Sequence, residues 1–403
     1  MNPRLPLTFI IITLTIDAIG IGLILPVMPD LLREITGGSL GNAALWGGIL
    51  STLFAVMQFI FGPIIGSLSD RFGRRPVLLV SLVVLSIDYM VMATVQVMWI
   101  LLIAHMVSGI TSAMQSTAAA FISDISKPEE KAARFGLIGA AFGVGFVLGP
   151  IVGGILGEFG TRAPFYAAGA FAFLNLIFGY FVMPETVTDK IRRPFNLARA
   201  NPLGAFFHVG KLPGTARLLG LFFLYEFAFI VYPATWAYFT AERFGWEPFM
   251  IGVSLGSFGI AMAIVQGGLI RLILKWFGEV NTVMYGFCFN AVAFILLATV
   301  SNPTLALILT PLTALGAVVT PALQSMMARK AGADAQGEMQ GVIASVKSLA
   351  MILSPFTMAY VFFTFTAPDA PIYLPGAAFL LSMTLMFVCG MIYVAGMRQM
   401  RAV

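Results

Sequence analysis

Six polar or ionisable residues stand where the chain is otherwise greasy: Asp17, Asp88, His105, Glu226, Asn290 and Lys347. A charge at the centre of a bilayer costs about 2.5–3.5 kcal/mol on insertion scales, so such a residue is by default functional and faces the interior of a helix bundle. Carboxylates and an imidazole in that position can take up and release protons. They can also recognise a charged solute. The structural alternative is that acids and bases pair to fix packing, and it stays open for Asp17, Asp88, Glu226 and Asn290. His105 begins a polar stripe with Ser108, Gly109, Ser112 and Ser116 at helical spacing. Its ordinary pKa near 6.5 lets it change charge near physiological pH. Gln115 and Gln266 add amides to the set of candidate cavity residues. Around Glu226 lie Tyr225, Phe229, Tyr232 and Trp236, a pattern suited to a lipophilic cation through cation–π contact. Packing against lipid accounts for the same aromatics.

The elements that hold these residues are membrane helices. Of 403 residues, 59% are hydrophobic and 10% charged, with a mean hydropathy of +0.94. Soluble domains carry about 25% charged residues, so too little polar surface exists to face water. Twelve apolar stretches reach the roughly 20 residues that a spanning helix needs: 7–32, 43–68, 77–95, 99–123, 134–157, 163–184, 215–241, 248–274, 280–300, 303–327, 338–363 and 373–397. They are apolar on nearly every face, unlike the alternating strands of a barrel. No signal-peptide pattern precedes the first, which starts early and carries an acid and Pro26 and Pro29. Cys288 and Cys389 both lie inside spans, which argues against a disulfide. His105 and His208 lie far apart, so no metal site is expected, nor any cofactor.

With both termini placed inside, 19 of the 23 Lys and Arg fall in inside loops, 3 fall outside (Arg33, Arg162, Arg243), and Lys347 lies within a span. That asymmetry predicts cytoplasmic termini. It also explains the net charge of +5 without nucleic acid as a partner.

Residues 185–214 are polar, basic and rich in Pro and Gly. They divide the chain into a six-span bundle over 1–184 and another over 215–403, and Phe206 and Phe207 predict a short interfacial helix in this linker. A weak repeat, "GSLSDRFGRRPVLL" (66–79) and "GGLIRLILKWFGEV" (267–280), supports two related halves. The second copy lacks the aspartate. Two six-helix halves predict a transporter with sites near the midplane.

Two motifs are expected to carry movement. Gly66, Asp70, Arg71, Gly73, Arg74 and Arg75 form a tight charged turn after the second span, in which arginines make charge-assisted contacts. It is expected to act as a gate. In "GLIGAAFGVGFVLGPIVGG", Gly145, Gly149, Gly153 and Gly154 allow close helix approach, and Pro150 bends the helix. The first motif resembles the loop signature of the major facilitator superfamily, and the second the fifth-helix signature of its drug/proton antiporters. "DAIGIGLILPVMP", "LSDRFGRRPVLLVSL", "GEFGTRAPFYAAGA" and "PALQSMMARKAGADAQGEMQG" together resemble the twelve-helix tetracycline-efflux type.

The resemblance implies an all-α integral membrane protein of two pseudo-symmetric six-helix bundles. It implies proton-coupled efflux of a drug-like small molecule by alternating access, with no enzyme activity, from a monomer in a bacterial cytoplasmic membrane. Asp17 and Asp88 match acids of that family. His105 stands where the family carries a basic residue, normally arginine. Asn290 stands at its ninth-helix acid, and Glu226 at a seventh-helix glutamine. Proton coupling is expected from Asp17, Glu226, His105 and Asp88. Competing readings are proton-coupled uptake of a small organic anion held by Lys347 and His105, a membrane sensor, and a membrane-embedded enzyme. No phosphate-binding loop supports ATP drive, and no catalytic set supports an enzyme.

Overall fold

The computed structural model describes residues 5–112, 114–189, 192–193, 195, 201, 204, 215–331 and 335–401. The described residues are almost wholly helical, and none lies in a strand. The helices are α1 (Leu5–Ile24), α2 (Met28–Thr36), α3 (Leu40–Phe72), α4 (Arg74–Thr94), α5 (Met98–Thr111), α6 (Met114–Asp124), α7 (Lys131–Gly157) and α8 (Ala163–Val182). They continue as α9 (Ala216–Phe229), α10 (Val231–Phe244), α11 (Pro248–Ile264), α12 (Ile270–Thr299), α13 (Pro303–Thr313), α14 (Val319–Ala331), α15 (Gln336–Thr366) and α16 (Ala377–Arg401). The proposed interfacial helix at Phe206 and Phe207 lies outside the described residues.

Among the described residues eleven helical runs are long and apolar enough to cross a membrane. One of them, Pro248–Thr299, is 52 residues long, which at 1.5 Å per residue is about 78 Å. A bilayer core is about 30 Å thick. Gly278, at φ 69° and ψ 167°, breaks this run, because only glycine takes that conformation without strain. The break makes two spans of one run and brings the total to the expected twelve.

Four spans are discontinuous, and they recur every third: the first, fourth, seventh and tenth. The sequence reading made each a single helix. In the first, Pro26 lies between α1 and the short α2, and Pro29 stands in the first turn of α2. In the seventh, Pro233 supplies no N–H to the Phe229 carbonyl and crowds it, so α9 ends at Phe229 and α10 begins at Val231. In the tenth, Pro311 precedes a 3₁₀ turn at Ala314–Gly316 between α13 and α14. The fourth breaks without a proline: Ser112 lies between α5 and α6, and its hydroxyl donates to the Gly109 carbonyl at 2.7 Å. The expected continuous stripe through Ser112 and Ser116 is therefore interrupted after Gly109. A turn of π-helix at Val265–Leu269 joins α11 to α12.

Chain contacts divide the protein into two compact units. One comprises 1–37, 53–202 and 247–256; the other comprises 38–52, 203–246 and 257–403. In the first, α1 packs on α7 and α8, and α4 packs on α8 and α5. The α1–α7 contact is backbone to backbone. A methyl added at Gly149 would lie 2.7 Å from the Gly22 Cα, and one at Gly145 or Gly153 would strike Ala18 or Leu23. Gly154, on another face of α7, meets Pro248 and Phe249 of α11. In the second unit, α12 packs on α16 and α14, and α9 on α15 and α16. Its core is aromatic, with Phe222, Phe239, Phe287, Phe294, Phe362 and Phe379 all fully buried.

Candidate functional site

In the first unit, Asp17 sits half-buried on α1, just before the stretch of α1 that α7 covers. Among the described residues no hydrogen-bond donor or cation reaches its carboxylate. One turn on, Gly20 leaves room for the Tyr89 hydroxyl. Beside it Thr13 donates to the Asn175 carbonyl oxygen at 3.1 Å.

Asp88 on α4 and His105 on α5 come together. The His105 Nδ1 lies 3.8 Å from an Asp88 carboxylate oxygen, and the two residues are 9% and 5% exposed. Neither of these two atoms makes a hydrogen bond. They are close enough to attract when the imidazole is charged, and too far apart to share a proton directly. Phe54 closes the imidazole from one side, its ring edge-on at 6.4 Å, and Ser108 faces the Asp88 carboxyl. Sequence reading nominated both residues but did not pair them. Gln115 lies in α6, and its side chain is outside the described residues.

The second unit holds a different cluster. Glu226, on the last turn of α9, is 8% exposed and accepts a hydrogen bond from the Thr320 hydroxyl of α14 at 2.6 Å. Its neighbour Tyr225 donates to the Gly316 carbonyl at 3.3 Å, and Asn290 donates to the same carbonyl at 2.9 Å. Gly316 has no side chain because Asn290 occupies that space. Two buried polar atoms of this cluster have no partner: the Tyr232 hydroxyl and the Asn290 carbonyl oxygen. A buried polar group left unsatisfied costs about 1–3 kcal/mol, so these two atoms are costly to keep where they stand.

Tyr232 and Trp236 are buried among Phe229, Phe258, Phe294 and Phe379. Neighbouring rings cover their faces, which leaves the Tyr232 hydroxyl as that residue's contribution. Lys347 is exposed on α15 with no partner among the described residues, on a strip with Gln340, Ala344 and Met351. The separate strip of Leu349, Leu353, Phe356 and Tyr360 is wholly apolar apart from one hydroxyl. Gln266 falls in the π-helical turn and is exposed, its amide on the Met262 sulfur at 3.2 Å.

The charged turn after the second span is an organised network. Gly73, at φ 111°, reverses the chain between α3 and α4. Arg74 then meets Asp70 at 2.5 Å, Asp124 at the end of α6 at 3.2 Å, and the Ser69 hydroxyl at 2.6 Å. Glu185 accepts from the backbone N–H groups of Arg74 and Arg75 at 2.9 and 3.2 Å, which places a negative charge at the N-terminus of α4. Thr186 donates to Asp124. Arg75 donates to the Tyr180 carbonyl at 2.6 Å. Arg71 is exposed over the Phe72 ring and takes no part, contrary to the expectation that it joins Asp70 and Arg74. The Gly66 carbonyl accepts from the Ser69 hydroxyl at 2.7 Å, and a side chain at Gly66 would meet open space. Sequence reading missed Asp124, Glu185, Thr320 and Tyr89. The signal for the first two was an acid placed directly after a predicted span.

These features define a polytopic transporter: twelve spans, four of them broken, with buried ionisable groups on or against the broken ones. The sequence profile of the Major Facilitator Superfamily matches residues 10–355, and the chain belongs to that superfamily. It is a membrane transporter and not an enzyme. It is 41% identical over 362 residues to the class C tetracycline resistance protein of Escherichia coli, covering 90% of this chain and 91% of that one. It is 28% identical to multidrug resistance protein 1 of Bacillus subtilis (strain 168), over 87% and 88% of the two chains. Among solved structures, the nucleoside transporter NupG superposes with a TM-score of 0.76 at 14% identity, over 98% of this chain and 99% of that one.

Proposed function

We propose that the protein exports a lipophilic, drug-like small molecule from the bacterial cytoplasm, in exchange for inward-moving protons, by alternating access. The observation that carries this reading is the pair of membrane-embedded carboxyl groups without a counter-charge. Asp17 has no cation among the described residues, and Glu226 has one hydroxyl donor. A membrane keeps such groups when it uses their protonation. Relatives named for tetracycline and multidrug resistance support a drug-like solute.

In this reading the bundles over 1–184 and 215–403, joined by 185–214, act as a monomer with both termini in the cytoplasm. Asp17, Asp88, His105 and Glu226 handle protons. Substrate contact falls to Asp17, His105, Ser108, Ser112 and Gln115 in the first unit and to Glu226, Tyr232, Trp236, Gln266 and Lys347 in the second. The network from Gly66 to Arg75 gates the cytoplasmic side, and α7 supplies the hinge. Organic-anion transport is the second reading, favoured by the unpartnered Lys347.

The test uses proteoliposomes under an imposed pH gradient, with tetracycline and fluorescent lipophilic cations as probes. The gradient should drive accumulation of at least one probe. Asp17→Asn, which mimics the protonated acid, should stop net pH-driven transport and keep probe exchange. Full proton-driven transport by that variant would remove Asp17 from the coupling.

A further inference from the structure

The two glycine turns that follow the second and eighth spans are related, and the relation appears when their positive-φ glycines are superposed. Gly73 aligns with Gly278, and each is preceded by phenylalanine, Phe72 or Phe277. One residue after the glycine stands Arg74 in the first turn and Glu279 in the second. Three residues before it stand Asp70 and Lys275. Both charges are reversed. The partner on the next broken span is reversed as well. Arg74 pairs with Asp124, the last residue of α6, whereas Glu279 pairs with Arg329 in the last turn of α14. Each pair has a serine on it. Ser69 accepts from Arg74 at 2.6 Å, and Ser325 donates to Glu279 at 2.8 Å. The aspartate missing from the second sequence repeat is therefore not a lost function. Six spans separate the turns, so both face the same side of the membrane.

We propose that Glu279 and Arg329 are positioning residues for transport, a charge-inverted clamp that ties the start of the span after Gly278 to the end of α14. The inverted pair does for α12 and α14 what Arg74 and Asp124 do for α4 and α6. The second clamp is the weaker one. Arg329 is 65% exposed against 11% for Arg74. Among the described residues Lys275 closes no ion pair, and nothing covers Gly278 where Glu185 covers Gly73. Exposed pairs contribute little, so the second clamp opens more readily and shapes turnover rather than the fold.

This inference rests on the transport reading for its kinetic test and not for its structural one. In proteoliposomes with tetracycline and ethidium as probes, E279Q and R329Q should each lower the initial rate about two- to five-fold with KM unchanged. The reversed pair E279R/R329E should recover part of it. Lys275 then opposes the new arginine one turn away, so K275D/E279R/R329E, which copies the order of the first clamp, should recover more. Independently of any substrate, hydrogen exchange of residues 278–283 in the purified full chain should quicken in E279Q and R329Q and slow again in the triple variant. Wild-type exchange in both single variants would overturn the clamp, as would a triple variant no better than E279Q. If wild-type protein moves neither probe while exchange follows the predicted order, the efflux reading fails and the clamp stands.

Discussion

Asp88 and Glu226 are both acids buried in membrane helices, and the two units compensate them in different ways. Asp88 faces an imidazole 3.8 Å away, so a charge offsets a charge when that imidazole is protonated. Among the described residues Glu226 accepts from one hydroxyl at 2.6 Å and faces no cation, so a dipole offsets it. The first arrangement is net neutral both as imidazolium with carboxylate and as imidazole with carboxylic acid, although at 3.8 Å the two atoms pass no proton directly. The second must change its net charge whenever its acid gains or loses a proton. Coupling to a gradient requires a group of the second kind. The first kind suits tuning and fixing of packing.

Four substitutions break or sharpen that contrast. His105→Ala strands Asp88 in an apolar interior, and removing one member of a buried ion pair costs about 3–5 kcal/mol. Thermal unfolding should report a large loss of stability, and D88N/H105Q should recover most of it. Unchanged stability in His105→Ala would show that the pair carries no charge. Glu226→Gln keeps an acceptor for Thr320 and should fold normally. Its proton-driven transport should fall about a hundred-fold, the scale of a lost proton-transfer group, with exchange retained. Equal losses of stability in the two variants would erase the distinction between the units. Thr320→Val removes the one donor to Glu226, which is worth about 1–3 kcal/mol, and should slow transport by a lesser factor than Glu226→Gln. His105→Arg has the smallest expected effect. Arginine stays charged throughout, so activity should persist while the pH profile loses its step between about pH 6 and 7.5.

Much of this was legible before any coordinates. Span number followed from hydropathy alone, because a bilayer sets the length of every helix. Asp17, Asp88, His105 and Glu226 stood out because charge is rare in such segments. The helix breaks were partly legible. Pro26, Pro233 and Pro311 announce three of them, but the break at Ser112 has no proline, and a periodic stripe read through it as one helix. Pairings were not legible. Nothing local to "SIDYM" points to "AHMVSG", since helix packing decides which faces meet. Glu279 escaped notice for another reason. The repeat was aligned on its first glycine, whereas backbone geometry aligns it on Gly73 and Gly278. The surroundings of Tyr232 and Trp236 were ambiguous because core packing and cation binding use the same residues.

The contact between α1 and α7 sets how force reaches Asp17. Side chains that interdigitate can slip past one another by changing rotamer, and such an interface has slack. Gly145, Gly149 and Gly153 have no rotamers to change, and they face Ala18, Gly22 and the Leu23 backbone, which have none either. The two helices therefore behave as one stiff lever over this stretch. A push on α7 moves the Asp17 backbone by nearly the same amount, with no compliant layer between. One methyl group at Gly149, 2.7 Å from the Gly22 Cα, would part the two arms of the lever and shift the backbone that carries the carboxylate.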